Sequence, residues 1–101
     1  MIKDNNFLII QGWMINHLKL KGNELIIYAV IYGFTQDGEH WFEGSRQYLA
    51  DWCNLAVRNV SENLKNLVNK GLLIKETYTV NNVKFCKYKI SNVNFETNAQ
   101  E

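Results

Sequence analysis

Between Ala56 and Lys70 the chain interleaves Arg58, Asn59, Ser61, Glu62, Lys65, Asn66 and Asn69 with Val60, Leu64, Leu67 and Val68. The apolar set recurs three and four residues apart, the period of a helix with one buried face, so the polar set lies outside. A guanidinium offers two parallel donors that match O6 and N7 of guanine, and a carboxamide offers the donor and acceptor that match adenine. Arg58 is therefore the candidate for guanine and Asn59 for adenine, with Asn66 on the same face. Ser61 and Lys65 carry the hydroxyl and ammonium that suit phosphate oxygens. Glu62 repels phosphate, so it is a candidate for discrimination between bases or for an intrahelical pair. Val57 is ambiguous: the wheel turns it inward, yet near the helix start it could touch a thymine methyl. For any one of these residues plain solvation is an equal alternative. As a set they point to double-stranded DNA.

The elements needed to position this face are also legible. Ser45 can cap the free amides of a first helix in which Leu49, Trp52 and Cys53 share a face. Ser45 and Arg46, at that helix start, are further candidates for phosphate. Small Ala50 suits a close approach of two helices, and Asn54 can take the left-handed conformation of the joint. Gly71 is the stop signal of the second helix. Beyond it, Leu72 to Val80 and Val83 to Ile90 read as strands around an Asn81-Asn82 turn, a hairpin. A short helix, a joint, a longer helix and a hairpin make a winged helix-turn-helix, whose second helix enters the major groove. Lys84 stands on the face of the hairpin opposite Val83 and Phe85, and is a wing candidate for the DNA backbone. The expected class is α+β, mainly helical with a C-terminal β-hairpin wing.

Bulk properties bound this reading. The 101 residues make one domain, and at 47% apolar composition it should fold. No apolar run approaches a membrane span, and the N-terminus lacks a secretory layout, so a cytoplasmic location is expected. The net charge is only +1, small for a DNA binder. Its distribution is uneven: −2 over residues 1–44, +5 over 45–89 and −2 over 90–101. Cys53 and Cys86 are expected as buried free thiols. With His17 and His40 they give no paired spacing for zinc. Neither histidine has an acid or nucleophile at a meaningful spacing. There is no Gly-rich phosphate loop and no Ser-His-Asp grouping, so neither a cofactor nor an enzyme is expected.

Along the rest of the chain, Phe7 to Ile10 could be a strand and Gly12 to Leu18 suits a short helix. Leu25 to Tyr32 is apolar throughout. Asn23 and Glu24 favour a helix start there and Gly33 an end, against the β-branched content of Ile26, Ile27, Val30 and Ile31. His40 to Glu43 could form a short strand. Trp13, Trp41, Trp52 and Tyr88 read as core anchors. The domain is expected over residues 1–91, with 92–101 a polar tail or the start of a linker.

The words Gly12-Trp13-Met14, Leu18-Lys19-Leu20-Lys21-Gly22-Asn23-Glu24-Leu25, Tyr28-Ala29, Ile31-Tyr32-Gly33-Phe34, Gly44-Ser45 and Tyr48-Leu49-Ala50 resemble helix-turn-helix proteins of phages, plasmids and conjugative elements in low-GC Gram-positive bacteria. Lys70-Gly71-Leu72 and Asn82-Val83-Lys84-Phe85-Cys86-Lys87-Tyr88 extend the likeness over about residues 7 to 90. Many such proteins are similar to the N-terminal winged helix of DnaD-like replication initiators. The resemblance implies origin or operator DNA binding, often with a further C-terminal domain. One departure is Ala56, where such helices commonly carry a capping Ser or Thr.

Two expectations concern partners. A helix that is apolar on nearly every side cannot be covered entirely by so small a domain. Leu25 to Tyr32, with Trp13 and Met14, should therefore leave a patch that joins two copies into a homodimer through the N-terminal third. The alternative function is a winged-helix protein-interaction module without DNA, which the low net charge would fit.

Overall fold

The computed structural model describes residues 2–91, so the expected tail at 92–101 lies outside the described residues. The elements are α1 (Gly12–Asn16), α2 (Gly22–Thr35), α3 (Arg46–Cys53), α4 (Val57–Asn69), β1 (Leu73–Val80) and β2 (Val83–Ile90). This is the α+β winged helix-turn-helix. The two strands pair antiparallel, from Leu73 with Ile90 at the base to Val80 with Val83 at the tip. Asn81 and Asn82 have φ of 51° and 66°, the double left-handed conformation that a two-residue hairpin turn requires.

Helix α2 is central. Helices α1, α3 and α4 and strand β2 all pack against it, and Ile27, Tyr28, Ala29, Val30 and Ile31 are buried in succession. Burial on several sides outweighs the mild helix penalty of its β-branched residues. The expectation of an uncovered α2 is thereby corrected: one chain covers five consecutive residues of it. The helix also runs past Gly33 to Thr35. Thr35, buried and polar, satisfies its hydroxyl on the Ile31 carbonyl at 2.9 Å. Trp13 meets Tyr28 and Tyr32 edge-on, at 6.2 and 5.2 Å between ring centroids.

The flanking segments are less regular than expected. Residues 6–10 form no strand, and of His40 to Glu43 only Phe42 joins the sheet, as a single bridge to Tyr88. Its amide donates to the Tyr88 carbonyl at 2.6 Å and the return bond is 3.0 Å. Phe42 and Tyr88 are both buried, so this bridge fastens the wing to the helical body. Trp41 is not a core anchor. It lies half-exposed beneath the ammonium groups of Lys87 and Lys89, each 4.7 Å from its ring centroid. Cys53 and Cys86 are free thiols, half-buried rather than buried. Burial pushes the Cys53 thiol up from its ordinary pKa.

Candidate nucleic-acid interface

Each local device of the helix-turn-helix is in place. The Ser45 hydroxyl accepts the Tyr48 amide at 3.1 Å and caps α3. Asn54 sits at φ 54°, ψ 47°, with its own amide on the Ala50 carbonyl. The Leu55 amide reaches the same oxygen at 3.1 Å. Helix α4 ends with Gly71 at φ 79°. There the Leu72 amide donates to Leu67 and the Gly71 amide to Val68, at 3.0 and 2.9 Å. That pair of bonds is a Schellman closure, and a side chain at Gly71 would oppose its left-handed φ. The N-terminus of α4 is the weak end: Ala56 supplies no side-chain cap.

Val60, Leu64 and Leu67 of α4 are buried, which turns Arg58, Asn59, Glu62, Lys65 and Asn69 to solvent. Val57 is also exposed, so the ambiguity resolves outward. Among the described residues, Arg58, Glu62 and Lys65 make no ion pair or side-chain hydrogen bond. Glu62 thus has no intrahelical partner and faces the same solvent as Arg58. Ser61 is half-buried and donates to the Val57 carbonyl at 3.4 Å, which leaves its oxygen available as an acceptor only. Asn66 is turned sideways, its amide donating to Glu24 of α2 at 3.3 Å.

On one flank of α4, Arg46, Ser61, Lys65, Asn69 and Lys75 line a common hollow floored by Leu64, Val68 and Tyr88. Arg46 from α3, Lys65 from α4 and Lys75 from β1 therefore converge. Lys75 was missed in the sequence. Its signal is alternation: it lies two residues beyond buried Leu73, on the same face of the strand. Register puts Thr77, Thr79, Lys84 and Cys86 on that face too, so Lys84 belongs with it, near the wing tip. The opposite face of the wing spends its cations internally. Lys87 pairs with Glu76 at 3.3 Å, and Lys87 and Lys89 both lie over Trp41. The free cations of the wing are therefore those on the α4 side.

His40 is the other departure. Its ring pairs with Asp37, and the same carboxylate accepts the amides of Glu39 and His40 at 2.9 and 3.0 Å. Among the described residues no cluster of His, Cys, Asp or Glu could hold a metal ion. No helix there is long and apolar enough to cross a membrane.

Residues 18–73 match the family model described as Helix-turn-helix domain. No curated protein matches. Among solved structures, one similar fold is described as the N-terminal domain of a DNA binding protein. It shares 21% identity and a TM-score of 0.61, over 95% of this chain and 83% of that one. Another is Stf76 from the Sulfolobus islandicus plasmid-virus pSSVx, with 11% identity and a TM-score of 0.51, over 83% of this chain and 99% of that one.

Proposed function

The chain belongs to the helix-turn-helix domain family, and from that premise we propose that it binds double-stranded DNA in a sequence-specific manner. Helix α4 enters the major groove and the wing follows the adjacent backbone. The observation that carries this reading is the placement of free cations: Arg46, Lys65 and Lys75 surround one flank of α4, while Arg58 stands unpaired on its open face. A net charge of +1 is compatible with this because the charge is arranged, with the cations of the far wing face already paired or stacked. Ser45, Arg46, Ser61, Lys65 and Lys84 meet phosphate, and Arg58, Asn59 and Glu62 face the bases, whereas Asn66 would reach a base only after leaving Glu24.

The biological setting that fits is replication initiation or transcriptional control of a mobile element, in the cytoplasm. It rests on the resemblance of the Gly-Trp-Met and Gly-Asn-Glu-Leu words to DnaD-like and related proteins. A plasmid-virus is also the source of one fold neighbour. Selection of bound duplexes from a random pool tests the function. Enrichment of one sequence family, with affinity falling steeply as salt rises, is the expected result. A pool that stays random, with no salt-dependent binding, would leave the protein-interaction module as the better reading.

A further inference from the structure

The flank of α4 away from the wing carries a second group of cations that the charge distribution along the chain conceals. Lys19 and Lys21 stand on either side of Leu20, which is buried, and both are exposed. The backbone at Lys19 is left-handed, with φ 60°. They line a hollow together with Asn63 of α4, Lys70 just past its end and Glu24 of α2. Glu24 accepts from Asn66 and pairs with Lys70. Lys19 and Lys21 have no such partner among the described residues.

An α-helix with its side chains is about 10–12 Å across, and the major groove is about 12 Å wide. A helix seated there brings both flanks against phosphate, one row from each strand. The wing flank of α4 presents Arg46, Lys65 and Lys75, and the other presents Lys19, Lys21 and Lys70. We propose that Lys19 and Lys21 form a second phosphate-binding ridge that grips the strand opposite the one held on the wing side. Glu24 restrains this ridge by occupying Lys70. The proposal rests on the reading of α4 as the groove helix.

The test measures affinity against salt concentration for random-sequence duplex DNA. Each phosphate contact adds about 0.9 to the logarithmic salt slope, so the double variant Lys19→Gln, Lys21→Gln should flatten it by about 1.8. Glu24→Gln releases Lys70 and should steepen the slope and tighten binding. Lys3→Gln, which lines neither of the two hollows beside α4, controls for net charge and should leave the slope unchanged. Circular dichroism checks that the exposed substitutions leave the fold intact. A parent that binds, needs Arg58, and keeps its slope in the double variant would overturn the ridge alone. A parent with no salt-dependent affinity would overturn the DNA reading together with it.

Discussion

The Thr35 hydroxyl accepts the amide of Ile90 at 3.3 Å while donating to the Ile31 carbonyl at 2.9 Å. One buried oxygen thus joins the last turn of the central helix to the end of the wing. The neighbouring Ser91 continues the seam, its amide on the Leu72 carbonyl at 3.1 Å and its hydroxyl on that of Gly71 at 2.6 Å. Thr35→Val keeps the volume but removes both bonds and leaves the Ile90 amide without its acceptor. The expected loss is about 1–3 kcal/mol, or roughly 4–8 °C in melting temperature per kcal/mol for a domain of this size. Calorimetry checks it, and an unchanged melting temperature would mean that this seam does not hold the wing.

The open face of α4 makes a different kind of prediction, because base and phosphate contacts fail differently. Arg58→Ala should weaken the selected site by about 1–3 kcal/mol and relax preference at one base position. Lys65→Ala should weaken all duplexes about equally and flatten the salt slope by about 0.9. Binding curves for a selected and a scrambled duplex separate the two. If both variants match the parent on both duplexes, the proposed face is wrong.

What was legible in the sequence divides along the same physical line. Ser45, Asn54, Gly71 and the Asn81-Asn82 turn each answer a local demand of the backbone, a cap or a left-handed φ, and the structure uses each that way. The inward stripe Val60, Leu64 and Leu67 follows from helix period alone, and all three are buried. The number of sides on which α2 is covered depends on the packing of four other elements, so it could not be read locally. Lys19 and Lys21 were hidden because charge was summed along the chain, whereas the fold brings that loop beside α4. Trp41 misled for a related reason: an indole covers lysine stems and their charges as readily as it fills a core.

The turn before α3 should register in a titration. The amides of His40 and Glu39, followed by the His40 ring, hold the Asp37 carboxyl down at about 2. The hydrogen bond from that carboxylate, followed by its charge, raises His40 above its ordinary 6.5. The Asp37 contribution is present above its ordinary 3.8 and is lost as pH falls through about 2. The His40 contribution is present below 6.5 and is lost as pH rises through its raised value. Both groups are exposed, so water screens the pair and its worth to stability is small. The observable is therefore the midpoint of the His40 imidazole signals in NMR, which Asp37→Asn should lower. A midpoint that does not move would mean the pair does not form in solution.

The last prediction concerns the N-terminal third, where the structure moves the apolar surface rather than removing it. Ile27 to Ile31 of α2 are buried, but Phe34 near its end is 53% exposed, Phe7 78% and Ile9 64%. These residues rim a hollow whose walls include Val30, Tyr48 and Trp52, and none of its lining residues belongs to α4 or the wing. We propose a second copy of this chain as the occupant. Self-association there leaves α4 free on each copy, and two copies on two half-sites would offset the low charge of one. Sedimentation at tens of micromolar should therefore show a dimer in the parent. Replacing Phe7 and Ile9 together by Ser should give a monomer that still melts cooperatively, because both side chains are largely solvated already. A parent that sediments as a clean monomer would sink the dimer, and DNA binding would then rest on the contacts of a single α4 and wing.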